Sequence, residues 1–474
     1  MESINYTEVT EDNVGKFNWT GQRSISINKF LTEIPAEKIN KCRDSVVNLK
    51  FESAASTKNI KAFLRACPHL QRLTFVDVLV DEYRRFKEDK PIDHPNVTHL
   101  IIKSSTNLAK KEHWLIDFFF WRINFRNLQS FRVQKIFTGN SGGLRITTNA
   151  YMEKFGQQVE TNIVTQFLIK NRFHLKELEL GGSGLYVSDI LSLQNPPAEM
   201  GELDKLTLST LIFSLDADGI PAFLQTQSHL TELKCSHIFT MGILGHHLDI
   251  PYAMSTIFSC IDRNCMSLTE ITIYPIMIID VSRQTLLEQD LLGMFTINCE
   301  CFSQCYSLRI LRLGLHAYRQ EQDLAKPGMA TLMGTRLINL HLIPIYIQEL
   351  YLPVEEYSHD ELEALAFQFS KFTKLISFYF GTSQLNPVNS FLIRLPWLQS
   401  LFLLPDIQRI EFHNGKLEDP DATRALIETK PNGSTVTLRQ NFPRFTFEIG
   451  RKVNSSVPYP SRPSFTNRSK SLRA

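Results

Sequence analysis

One apolar phrase, Leu-x-x-Leu-x-Leu with conservative exchanges, returns about a dozen times between residues 46 and 403. Clear copies are Leu70-Gln-Arg-Leu73-Thr-Phe75, Leu175-Lys-Glu-Leu178-Glu-Leu180 and Leu308-Arg-Ile-Leu311-Arg-Leu313. A unit this short cannot bury its apolar side alone, so neighbouring units must stack and share a continuous core. Stacking also removes the size limit on a single core, which a chain of 474 residues would otherwise exceed. The phrase therefore predicts an extended array that presents a surface.

The copies begin at Val46, Leu70, Val97, Leu128, Leu175, Leu203, Leu230, Leu268, Leu308, Ile347, Leu375 and Leu398, spaced by about 23 to 47 residues. Leucine-rich repeats run to roughly 20–29 residues, so the longer gaps carry insertions. These are expected at 137–150, with Gly139, Gly142 and Gly143, around Gln194-Asn-Pro-Pro197, between Ile238 and Pro251, and between Tyr274 and Gln284. The end of each phrase alternates apolar and polar residues, the period of a strand with one buried side. Helical spacing precedes many copies, as in Ile60, Phe63, Leu64 and Cys67, or Met254, Ile257, Phe258 and Ile261. Ser358-His-Asp-Glu361 fits a capping box opening another helix. The expected fold is an α/β leucine-rich-repeat solenoid with irregular repeats, a curved parallel sheet on its concave side and helices on its convex side. Residues 1–43 are expected as an N-terminal extension and cap, 44–404 as the solenoid, 405–450 as a C-terminal cap and 451–474 as a disordered basic tail.

The formal net charge of +2 argues against a dedicated nucleic-acid or membrane-surface protein, which needs a basic stripe. The first residues, Met-Glu-Ser-Ile-Asn-Tyr-Thr-Glu, lack the basic and apolar regions of a signal peptide. The most apolar stretch, Trp114 to Phe125, is interrupted by Asp117 and Arg122 and is far shorter than the ~20 residues of a spanning helix. It is expected as a helix within one repeat. A chain of the cytoplasm or nucleus follows, and its six Asn-x-Ser/Thr sequons are expected to be chance matches.

Cys67, Cys265 and Cys305 each stand three residues ahead of the first leucine of a copy. This Cys-x-x-Leu-x-x-Leu-x-Leu core resembles the cysteine-containing repeat of F-box/leucine-rich-repeat proteins over roughly residues 44–404. The resemblance implies a substrate receptor of an SCF-type ubiquitin ligase, with the SCF adaptor and cullin as partners. Ile34-Pro35-Ala36-Glu37-Lys38-Ile39 is similar to the opening of an F-box, but Val46 follows too soon for the remaining F-box helices. Either that domain is absent or this chain is a truncated version of a longer product. The alternative is a binding or inhibitor scaffold without a ubiquitin-ligase link.

Catalysis finds no support. Cys299-x-Cys301-x-x-x-Cys305 lacks the paired spacing that zinc sites use, and Cys265 and Cys305 already have a structural place as small buried hydrophobes. Gly139 to Gly143 lacks the Gly-Lys-Ser/Thr ending of a phosphate loop, and His246-His247 point apart on any regular element. No cofactor or metal is expected. The informative positions lie on the concave face, at the fifth residue of each copy. They read Lys50, Thr74, Ile101, Arg132, Glu179, Thr207, Lys234, Thr272, Arg312, Tyr351, Tyr379 and Phe402. The final three are aromatic and are flanked at the third position by Glu349, Ser377 and Ser400. Aromatics bordered by polar groups are typical of interface anchors. Tyr351, Tyr379, Phe402 and Glu349 are thus the candidate protein-binding residues. For Phe402 the competing expectation is burial under the C-terminal cap by Phe442, Phe445 and Phe447.

Overall fold

A computed structural model of the chain describes residues 4–30, 32–80, 91–104, 119, 122–135, 167–168, 170–171, 173–181, 203–209, 212–213, 227–236, 238–242, 250–273, 276–280, 296–313, 331–332, 336–353, 367–381, 391–413, 415–429, 435–441 and 444–450. The fold is α/β, with one long, mostly parallel sheet of sixteen strands and few helices among the described residues. That arrangement is compatible with the expected solenoid.

Fourteen strands stand side by side in chain order. They are β1 (Thr7–Val9), β2 (Ser24–Phe30), β3 (Asn48–Ala55), β4 (Arg72–Val80), β5 (His99–Ser104), β6 (Ser130–Lys135) and β7 (Glu177–Gly181). Then follow β8 (Lys205–Ser209), β9 (Glu232–Ser236), β10 (Glu270–Ile273), β11 (Ile310–Leu313), β12 (Glu349–Pro353), β13 (Ser377–Gly381) and β14 (Arg409–His413). Two further strands, β15 (Thr435–Asn441) and β16 (Arg444–Gly450), close this end, with β16 antiparallel to both β14 and β15. Residues 1–43 and 405–450, expected as an extension and a cap, therefore contribute β1, β2, β14, β15 and β16 to the sheet itself. The F-box-like segment leads into helix α1 (Ala36–Cys42), whose Ile39 is buried with Ile34 in the common core.

On these strands the described apolar motif positions face one side. Leu49 and Phe51, Leu73 and Phe75, Leu311 and Leu313, and Phe378 and Phe380 belong to a single buried cluster. Helix α2 (Thr57–Ala66) packs on that side through Phe63, whose ring meets Phe51 edge-on at 6.3 Å. Its Ile60, Phe63 and Leu64 are buried, as the helical spacing requires, and Ser56 caps its first turn. Helix α3 (Ile250–Arg263) covers the second expected helical pattern. Phe51, Phe75, Phe119 and Phe125 form a ring-to-ring chain at 5.4–5.8 Å. Such pairs add ~0.5–1.5 kcal/mol beyond their area burial.

The twelfth motif copy is helical, contrary to the sequence expectation. Helix α4 spans Leu395–Phe402, begins with Pro396 in its first turn and buries Trp397, Leu398, Leu401 and Phe402. A Leu-x-x-Leu spacing satisfies one face of a helix as well as the start of this phrase, and the proline supports the helical choice. The strand comes from Ile407-Gln-Arg-Ile410-Glu-Phe412 instead, as β14. Other departures follow the same ambiguity. Ile123–Phe125 is a short strand paired with Ile92–His94, where one helix was expected through residue 125. Ile238–Gly242 and Ile276–Asp280, expected as starts of insertions, are strands in a separate four-stranded sheet. The Ser358–Glu361 capping box, the Gly139–Gly143 loop, His246-His247 and the 451–474 tail lie outside the described residues. Among the described residues no helix is long and apolar enough to cross a membrane.

Buried amides tie successive units together. Leu203 N–H donates to Gln227 Oε1 at 2.9 Å, and Leu230 N–H donates to Asn264 Oδ1 at 2.8 Å. Asn264 Nδ2 donates onward to the Gln227 and Cys260 carbonyls at 2.9 and 2.8 Å. A fifth helix, α5 (Pro420–Glu428), is capped by Asp419 and lies against β15. Asn264→Ala strands buried backbone groups on two neighbouring units, so the urea midpoint should correspond to a loss of about 2–4 kcal/mol. Exposed Asn18→Ala serves as the control, with a change within about 0.5 kcal/mol.

Candidate functional site

Eleven of the twelve fifth-position residues expected on one face form an unbroken row of directly paired neighbours. Lys50 pairs with Thr74, Thr74 with Ile101, Ile101 with Arg132, Arg132 with Glu179 and Glu179 with Thr207. Thr207, Lys234, Thr272, Arg312, Tyr351 and Tyr379 continue the row one strand at a time. Glu8 and Ser26 extend it at one end, and Glu411 and Thr446 extend it at the other. The third-position residues form a parallel row two residues away, because alternate side chains share a face. The leucine rows enter the core, so these two rows occupy the open face of the sheet.

Charges on this face alternate into a ladder. Arg132 binds Glu177 at 2.5 Å. Further along, Lys205 binds Glu232 at 2.5 Å, and Lys234 spans Glu232 and Glu270 at 3.2 and 3.1 Å. Arg312 then joins Glu270 to Glu349, the second contact at 2.8 Å. Burial would raise the Glu177 and Glu232 carboxyls, but the combined hydrogen bonds and charges of Arg132, Ser130 and Lys205 at Glu177, and of Lys205 and Lys234 at Glu232, outweigh it and hold both below the ordinary carboxylate range.

The ladder ends in a four-layer stack. The Arg312 guanidinium carbon lies 5.2 Å from the Tyr351 ring centroid. Tyr351 and Tyr379 stack with centroids 4.0 Å apart and planes 8° from parallel. Arg409 lies over the other side of Tyr379 at 5.7 Å, and its guanidinium also binds Glu411 at 2.8 Å. Cations on both outer faces suit the negative ring quadrupoles. Tyr351 is only 6% exposed, while Tyr379 remains half-buried. Burial raises both phenols above their ordinary pKa, so near neutral pH each keeps its proton. What this site offers a ligand is therefore the edges of two rings and the outer sides of Arg312 and Arg409, not an open ring face.

Phe402 does not belong here. It is fully buried on α4, and its ring meets Phe447 at 5.6 Å. Phe445 and Phe447 also point into the core, paired with Phe412 and Ile410 across β16 and β14. Thus Phe447 covers Phe402, and Phe442 lies outside the described residues, while the tyrosines are enclosed between Arg312 and Arg409. Glu349 lies where expected, as a carboxylate partner of Arg312. Arg409 and Glu411 were missed because the phrase at Leu398 occupied their place; Ile407-x-x-Ile410-x-Phe412 carried the correct signal.

Six of the eight cysteines are buried, and Cys265 and Cys301 are partly exposed. Burial pushes the Cys260, Cys299 and Cys305 thiols up to about 12, so they are neutral at physiological pH. No group of three or more potential metal ligands occurs among the described residues. No protein-family profile and no characterised protein matches the chain significantly.

Two measurements check this geometry. Phe402→Ala should cost about 3–5 kcal/mol as a core truncation, whereas Tyr379→Ala should cost about 1–2 kcal/mol in the same urea titration. Glu177 and Glu232 have lowered pKa values when folded, so the unfolded chain takes up their protons first as pH falls. Their stabilisation is present above the unfolded Glu value of about 4.3 and is lost on acidification below it. The unfolding midpoint should drop between pH 5 and about 3.5, and Glu177→Gln with Glu232→Gln should flatten that drop.

Proposed function

We propose that the chain is a non-catalytic leucine-rich-repeat scaffold that binds a protein partner on the concave, open face of its sheet, with its helices on the convex side. The observation that carries this reading is the Arg312–Tyr351–Tyr379–Arg409 stack, set among mostly polar residues on one face of the sheet. Arginine and tyrosine are, with tryptophan, the residues enriched among interface hot spots, and stacking holds these in one geometry before a partner arrives. Tyr379, Arg409, Arg312 and Glu349 form the anchor; Tyr351 supports it from within. Phe402 acts through the core alone.

By its resemblance, the scaffold is a substrate receptor of an SCF-type ubiquitin ligase in the cytoplasm or nucleus. Support comes from the repeated cysteine three residues ahead of the motif, buried at Cys67 and Cys305. A scaffold without a ubiquitin link is favoured by a different observation. Residues 34–42, which carry the F-box-like sequence, form part of the array through Ile34, Ile39 and Cys42.

Affinity purification of the full chain, followed by mass spectrometry and rebinding of the purified partner, separates these readings. Recovery of the SCF adaptor and cullin supports the receptor, and their absence alongside a directly rebinding partner supports the simpler scaffold. In either case Tyr379→Ala with Arg409→Ala should weaken rebinding at least ~30-fold, equivalent to about 2 kcal/mol, in a chain that stays fully folded at the assay temperature. Unchanged rebinding by that variant would sink the surface assignment.

A further inference from the structure

The charge ladder thins toward the N-terminal strands, where two of the cations, Arg72 and Lys103, have no carboxylate partner among the described residues. On β3 to β6 the open face carries Lys50, Arg72, Lys103 and Arg132, together with His99. Glu52 binds Lys50, and Glu177 on β7 binds Arg132. Arg72 and Lys103 have no carboxylate partner among the described residues, although both are partly exposed. Arg72 is paired directly with His99, and His99 with Ser130, so these side chains occupy adjacent rungs about 5 Å apart. Thr98 Oγ1 lies 2.8 Å from His99 Nδ1, which engages that edge of the imidazole. Thr74 and Ile101, both nearly buried, form the floor between the charges.

We propose that this basic end of the open face, centred on Arg72, His99 and Lys103, binds an acidic segment of the protein partner. The proposal deepens the scaffold reading and rests on it. Lys103 lies four residues beyond His99 on β5, about 13 Å along the strand. One small anion cannot reach both ends of that span. Carboxylates at i and i+4 of an extended peptide lie about 13 Å apart and match it. Specific partners gain both rate and register from such complementary charge.

His99 gives the site a proton-linked signature. Burial lowers its pKa, and Arg72 and Arg132 lower it further; Glu177 is the opposing influence. Without an acidic ligand the imidazole is neutral near pH 7. A carboxylate placed beside Arg72 would favour the protonated ring, so binding takes up a proton and strengthens as pH falls. Arg72, Arg132, Ser130 and Thr98 are the groups that surround the ring on its own and adjacent strands, and Glu177 lies one strand beyond.

The test uses the full chain and a fluorescein-labelled peptide of alternating Glu and Ser, followed by polarisation at low salt. Binding should tighten at least threefold from pH 7.5 to 6.0, and the His99 NMR titration midpoint should rise in the complex. Arg72→Gln with Lys103→Gln should weaken binding at least tenfold at an unchanged melting temperature. Arg424→Gln, on exposed α5, should leave it unaltered. Equal binding by wild type and the double variant, an unmoved His99 midpoint, or complete competition by millimolar inorganic phosphate would each overturn the proposal. Tyr379→Ala with Arg409→Ala lies at the other end of the sheet, so loss of partner rebinding there and loss of acidic-peptide binding here can occur independently.

Discussion

Backbone register between parallel strands is the constraint on which everything else depends. From β1 to β14 each strand hydrogen-bonds to the next with equivalent motif positions side by side. Because side chains alternate faces every residue, this alignment turns each motif position into a straight row. Apolar rows meet in the core, and polar rows are held on the open face at strand spacing. A slip of one residue would exchange them. Irregularities fall in the second halves of β2, β3 and β4, beyond the motif positions: the register shifts follow Asn28 and Glu52, Ser53 and Asp77 take positive φ values, and pairing then resumes.

Rows bring equivalent residues together, which creates a problem wherever like charges recur. The chain resolves it across most of the sheet by setting carboxylates in the third row against cations in the fifth. Glu232, Glu270 and Glu349 alternate with Lys234 and Arg312 in this way. Pairs with such partial solvent access contribute modestly to stability, so their main consequence is a defined surface pattern. Arg312 and Arg409 also cover the two outer ring faces of the tyrosine pair, and the same cations thereby serve both ladder and stack. At β4 and β5, where Arg72 and Lys103 have no carboxylate partner among the described residues, a basic patch remains.

Most of the strand framework was legible in sequence because its signal is local and repeated. Leu73, Leu178 and Leu311 announce both the strand and the side that faces inward, and eleven open-face positions followed from them. The failures are equally physical. Leu398-x-x-Leu401 satisfies a helix face as well as a strand phrase, and the burial of Phe402 under Phe447 involves β16, far along the chain. Strands β1 and β2 carry only fragments of the phrase, Val9 in one and Ile25 with Ile27 in the other, and depend on β3 to align them.

Within the candidate site, sequence identified Tyr351, Tyr379 and Glu349 as neighbours on one face, since period-two alternation and strand spacing are enough for that inference. Their mode of exposure lay beyond it. Ring stacking at 4.0 Å, the two covering guanidinium groups and the near-complete burial of Tyr351 arise from side-chain positions on four separate strands. The same distinction holds for Arg72 and His99. Their residue types are plain in the chain, but the absence of a carboxylate beside Arg72 among the described residues is a property of strand pairing. A repeated phrase specifies which way each residue points; long-range packing specifies what it meets there.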